Sequence, residues 1–101
     1  MKIPDQVKIL GHDIVIRYED TIKLDKREES GIASFTDGTI LLARQCHDLP
    51  ISEDVKAETF IHEVLHFVNE AMTMGLTEKQ VHRVARGIYA FIKDNNFLSE
   101  E

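Results

Sequence analysis

Residues 59–66 read Thr-Phe-Ile-His-Glu-Val-Leu-His and hold His62, Glu63 and His66 in the pattern His-Glu-x-x-His. In a helix, residues four apart lie on one face about one turn apart, so His62 and His66 offer two imidazoles to one point. Neutral imidazole nitrogen binds zinc at about 2.0–2.1 Å. Glu63, next to the first ligand, is placed to take a proton from metal-bound water rather than to bind the metal. Zinc lowers the pKa of that water toward about 7, within reach of a carboxylate base. The chemistry this spacing supports is metal-assisted hydrolysis. Three fixed residues also occur together on solvated helix faces. Here the spacers Val64 and Leu65 are apolar and the pattern sits inside an amphipathic segment.

A catalytic zinc takes a third protein ligand and keeps a fourth position for water. His82, Glu78, His47, Cys46 and His12 are the candidates. The first helix is expected to continue past His66 to Gly75. An antiparallel second helix starting near Glu78 then climbs back to the level of the metal around residues 82–88, at about 1.5 Å per residue. His82 is the expected third ligand. Glu78, in the first turn, is the alternative and gains if the helices cross steeply. Tyr89, two turns from His82 on the same face, is a candidate donor to an oxyanion, against the plainer reading of a boundary tyrosine with its hydroxyl in water. Arg86 is either a similar donor or a solvated charge. Cys46 and His47 are adjacent, so an extended strand would point them to opposite faces; they read as loop or strand-end residues. His12 falls in a turn.

The elements that must position these residues follow from periodicity. Val7–Leu10 and Ile14–Tyr18 flank Gly11-His12-Asp13, and Ile14, Ile16 and Tyr18 alternate with Val15, Arg17 and Glu19 as in a half-buried strand. Residues 19–30 are charge-rich and read as a loop anchored by Ile22 and Leu24. Gly31–Thr36 and Thr39–Arg44 flank Asp37-Gly38, a hairpin signal because tight hairpin turns need positive φ. The strand over Thr39–Arg44 directly precedes the metal-binding segment and is a candidate edge for an added substrate strand. Ser52, Glu53 and Asp54 open a helix by capping and by favouring its dipole; Val55, Ile61, Val64, Leu65, Val68, Ala71 and Met72 give it an apolar face. Thr77-Glu78-Lys79-Gln80 is a capping box for a second helix with the stripe Val81, Val84, Ala85, Ile88, Phe91, Ile92. The short connection makes the helices antiparallel neighbours.

Strands followed by helices argue an α+β fold: a small antiparallel sheet of two hairpins packed on two antiparallel helices. The expected organisation is one domain over 1–101, with strands and loops over 1–49, the metal-binding helix over 50–75 and a backing helix over 77–95.

The 101 residues suit one core. Acidic residues outnumber basic ones 18 to 12, for a net charge of −6. Phosphate recognition needs a basic face and the basic residues are scattered, so no nucleic-acid partner is expected; Arg83, Arg86 and Lys93 are a candidate local basic patch. A single cysteine, Cys46, excludes an intrachain disulfide. The N-terminal residues lack an apolar signal-peptide run, and no apolar run approaches the ~18 residues of a membrane span. No membrane association and a cytoplasmic location are expected.

The chain resembles the zincin superfamily of metallopeptidases, in particular the very small phage- and prophage-type zincin-like proteins and the single-domain minigluzincins. The residues carrying the resemblance are Ile9-Leu10-Gly11 before a strand, Thr59 through His66, Leu76 through Val81, and Val84-Ala85 through Asp94-Asn95. The resemblance implies an antiparallel sheet on an active-site helix and a backing helix, zinc at His62 and His66, and Glu63 as general base. Gluzincins take their third ligand from a glutamate on the backing helix; His82 would depart from that pattern toward a three-histidine site. The expected function is a zinc-dependent hydrolase that cleaves peptide bonds. The alternatives are a non-enzymatic zinc-binding interaction protein, with the fourth position closed by Glu78 or Cys46, and a metal-free helical module.

Overall fold

The computed structural model describes residues 2–96, so Met1 and 97–101, which fall within the expected domain, lie outside the described residues. In chain order the elements are β1 (Gln6–Ile9), β2 (His12–Glu19), β3 (Ile22–Leu24), β4 (Arg27–Glu29), β5 (Gly31–Ser34), β6 (Thr39–Ala43), β7 (Gln45–Cys46), β8 (Leu49–Pro50), α1 (Glu53–Ala71) and α2 (Glu78–Asp94). The fold is α+β.

Both expected hairpins form. β1 and β2 pair antiparallel around Leu10 and Gly11, whose φ values of 49° and 85° make a two-residue turn of the kind that matches strand twist. β5 and β6 pair antiparallel, with Gly38 at φ 62° in their connection. The hairpins are joined by a parallel ladder between β2 and β6, with Ile16 opposite Ile40 and Tyr18 opposite Leu42. The resulting four-stranded sheet has the order β1-β2-β6-β5 and is mixed. A parallel pair needs a long crossover; residues 20–38 provide it. As an inner strand, β6 is almost fully covered at Ile40, Leu42 and Ala43. The edge beside α1 therefore belongs to β5, not to the strand over Thr39–Arg44 that the sequence suggests.

The charge-rich stretch is not a plain loop. β3 and β4 form a separate small hairpin that turns through Asp25 and Lys26, both at positive φ. Ile22 anchors it and is buried. Charged residues on both of its faces erase the alternation that would announce strands.

The start of α1 follows expectation: the Ser52 side chain accepts from the Val55 N–H at 3.2 Å, and Glu53 and Asp54 occupy the first turn. Its end comes at Ala71, before Gly75, and the chain then reverses through Thr73 (φ 47°) and Gly75 (φ 71°). Thr77 caps α2, and the Thr77–Gln80 capping box is complete. Asn69 pins the connection: its Oδ1 accepts from the Leu76 N–H at 3.0 Å and its Nδ2 donates to the Leu76 carbonyl at 3.1 Å. The connecting segment, rather than the climb of α2, thus returns the chain to the middle of α1.

The core lies between the sheet and α1, with Ile14, Ile16, Ile40 and Leu42 packed against Ala57, Phe60, Ile61 and Phe67. α2 packs on α1 and buries Val81, Ala85 and Tyr89, four residues apart. Val84, Ile88 and Phe91, which the periodicity assigns to the same stripe, are exposed. A helix that rests on one neighbour buries a narrower stripe than one wedged between two layers. Among the described residues, no helix is long and apolar enough to cross a membrane.

Candidate metal centre

The middle of α1 passes beside β5, and its His62, Glu63 and His66 face a cavity of about 580 Å³. The close approach of strand and helix depends on Gly31: a Cβ there would stand 2.6 Å from Thr59 Cγ2 and 3.3 Å from Glu63 Cγ. Ser30, Gly31, Ile32 and Ala33 form one wall of the cavity, Leu24, Arg27 and Glu29 of the small hairpin another, and Glu78 and His82 of α2 a third.

His62 Nε2 and His66 Nε2 lie 3.1 Å apart. The Glu78 carboxylate reaches both, with Oε1 2.7 Å from His62 Nε2 and Oε2 2.8 Å from His66 Nε2. These ligand atoms all lie within 4.8 Å of one another. The donor set fits a tetrahedral ion, which at bond lengths of about 2.0–2.1 Å holds its ligand atoms about 3.3 Å apart. Two Nε2–H groups donating in parallel to the two Glu78 oxygens satisfy the triangle, and so does a cation at its centre held by both imidazoles and the carboxylate.

The third member of this cluster is therefore Glu78, the alternative, and not the expected His82. The physical reason is the Asn69 clamp on Leu76, which starts α2 level with the histidines. His82, one turn further along α2, is exposed but lines the same cavity, its ring centroid 5.9 Å from that of His62.

Glu63 is 6% exposed. Burial pushes its carboxyl up to about 8, and the charges of Glu78 and Glu29 add to the rise; a hydrogen bond with the Ala33 backbone opposes it. A carboxyl held near neutrality in a dry wall is suited to accept and return a proton.

Tyr89 does not join the centre. Its hydroxyl donates to Asp54 Oδ1 at 2.7 Å, and Lys93 Nζ donates to Asp54 Oδ2 at 3.0 Å. Asp54 lies eight residues before His62 on α1, about 12 Å along the axis. Seven residues past His82, Tyr89 has travelled with the antiparallel α2 to the other end of α1, where it ties the helices together. The hydrogen bond to Asp54 pushes the phenol up to about 12. Arg86 pairs with Glu58 at 3.6 Å, so it and Lys93 meet carboxylates rather than forming a basic face. His47 Nδ1 stands 3.2 Å from Glu28, Cys46 is a half-buried free thiol, and His12 is exposed at the start of β2; none lines this cavity.

The sequence gives no sign of the walls built by Leu24, Arg27 and Glu29, because these residues belong to the unrecognised hairpin. The isolated Gly31 at the head of a strand was the available signal for close backbone approach. Comparison of the chain with protein-family models, with curated proteins and with solved structures finds no match.

Proposed function

We propose that the protein is a zinc-dependent hydrolase, a minimal metallopeptidase. The observation that carries the reading is the convergence of His62, His66 and Glu78 on one point, beside a buried Glu63, in a cavity open to solvent. His62 Nε2, His66 Nε2 and one Glu78 oxygen would hold the ion. Bound there, zinc supplies Lewis acidity and a water acidified to a pKa of about 7.

The chain's own residues account for the rest. Glu63 takes the proton from the attacking water and returns it to the leaving amine. Its burial keeps the proton from bulk solvent between these events. The β5 edge offers backbone groups to an extended substrate, and Gly31 lets that edge stand against Glu63. With Tyr89 turned away, His82 and Arg27 are side-chain donors that line the cavity.

The test is hydrolysis of a denatured protein substrate by zinc-loaded protein, read by mass spectrometry. New termini should appear with the wild type and be absent with Glu63→Gln, which keeps the three ligands. Equal cleavage by both would overturn the role of Glu63.

The position of His82 favours one second reading, a closed structural zinc site in an interaction protein, with His82 as fourth ligand. X-ray absorption on the zinc-loaded protein separates the two: three imidazoles support the closed site, two imidazoles with a water support the hydrolase.

A further inference from the structure

We infer that a second cavity beside the metal centre is a specificity subsite for a lysine or arginine side chain of the peptide cleaved there; this rests on the peptidase reading above. The cavity measures about 440 Å³, within the range of ligand pockets. Ile9, Ile14 and Phe67 give it an apolar floor, and Asp13, Asp37 and Glu70 an acidic rim.

Phe35 lines both cavities, packed edge-to-face on Phe67 at 5.0 Å between ring centroids. Two independent routes bracket the separation of the cavities. A Cβ on Gly31 would stand 3.3 Å from Glu63 Cγ, so the bond attacked lies beside the first residues of β5. Phe35 is four residues further on, just past the end of β5 and at most about 13 Å away along the chain. Along α1, Glu70 is four residues beyond His66, about 6 Å. An extended peptide on the β5 edge therefore brings a residue two to four positions from the scissile bond to the acidic rim.

The lining chemistry selects the occupant. A long aliphatic stem covers the apolar floor while its cationic head remains at the wet rim. Neither lysine nor arginine lines the cavity, and His12 is its one other titratable group. Asp13 is already compensated by Lys8 at 2.8 Å. Asp37 accepts from Ser34 Oγ at 3.0 Å, a bond that orients the carboxylate without neutralising it. Asp37 and Glu70 thus supply the charge available to a ligand. A carboxylate ligand would meet like charge, and an apolar one would leave the rim without a partner.

The test uses zinc-loaded Glu63→Gln protein, immobilised, and a random-sequence peptide library. Retained peptides are sequenced, and the cleavage sites of the wild type are mapped separately. The subsite predicts about tenfold enrichment of lysine and arginine over norleucine and glutamate, the scale of two exposed ion pairs. It predicts that the enriched residue lies two to four positions from the bond the wild type cuts. An Asp37→Asn/Glu70→Gln variant should lose the enrichment and keep its zinc and its retention of peptides. Retention without basic enrichment, or enrichment that survives in that variant, would overturn the subsite and leave the peptidase reading standing. No retention of any peptide by zinc-loaded protein would overturn both.

Discussion

Substitution of Glu63 by glutamine should change the pH dependence of stability of the metal-free protein more than its folded structure. The native carboxyl titrates at about 8, against 4.5 for the unreacted group in the unfolded chain. Between these values the native state holds a proton that the unfolded state has lost, so stability falls as pH rises. Below 4.5 both states are protonated, and the cost is absent; above about 8 both are ionised, and it is complete. The difference of 8 − 4.5 is 3.5 pH units, which at about 1.4 kcal/mol per unit is a total of about 5 kcal/mol, of which about 3 kcal/mol has accrued by pH 7. Against a typical total stability of about 5–15 kcal/mol this is a large fraction. Glutamine keeps the shape and has no charge to bury. Urea denaturation of both proteins in chelator, from pH 4 to pH 9, isolates the effect together with its coupling to Glu78 and Glu29, because the groups that do not interact with Glu63 cancel in the difference. The wild type should lose about 5 kcal/mol relative to Glu63→Gln over this range. Parallel curves would refute the claim that Glu63 sits in a desolvated wall, and with it the physical basis for its role as base.

Zinc affinity should distinguish Glu78 from His82. Glu78→Ala should weaken binding by more than the roughly 10–100-fold typical of residues that only support a ligand, and His82→Ala by less, as measured by competition with a chromogenic chelator. Gly31→Ala should destabilise the protein by about 1–3 kcal/mol, the scale of overpacking, because the new methyl meets Thr59 Cγ2 at 2.6 Å; combining it with Thr59→Ser, which removes that methyl, should recover stability in urea unfolding. Tyr89→Phe should cost about 0.5–1.5 kcal/mol through the lost bond to Asp54 and leave zinc affinity unchanged; a loss of zinc binding would contradict its placement away from the centre. Excess zinc at about 1,000 times its dissociation constant should stabilise the native state by about 4 kcal/mol, seen as a rise in melting temperature that chelator reverses.

The parts of the fold legible in the sequence were those with strong local chemistry. Asp37-Gly38 marks one hairpin, the alternation of Ile14, Ile16 and Tyr18 marks the strand of another, and Ser52 and the Thr77–Gln80 box mark the helix starts. His62, Glu63 and His66 were readable because a helix of known pitch fixes their relative positions without further information. What failed depended on contacts between distant residues. The parallel pairing of β2 with β6 has no local signature, since the two strands are separated by more than a dozen residues and neither encodes its partner. Counting helical rise favoured His82 because the count assumed that the connection contributes no return. The Asn69 side chain, holding Leu76 by both its amide N–H and its carbonyl, makes that assumption fail and brings Glu78 to the histidines. Tyr89 shares a helical face with His82, but seven residues of rise carry it to a different neighbour, Asp54. The β3–β4 hairpin was hidden by charges on both faces, and with it the wall that Leu24, Arg27 and Glu29 contribute to the cavity.

The central claim is that His62, His66 and Glu78 form one metal centre with Glu63 beside it. Elemental mass spectrometry on protein purified without added metal or a metal-affinity tag, and again after zinc loading and desalting, tests it most directly. The account predicts about one zinc per chain in the loaded wild type and in Glu63→Gln, and loss of most of it in Glu78→Ala and His66→Ala. No zinc in the loaded wild type, or full retention in both ligand variants, would contradict it.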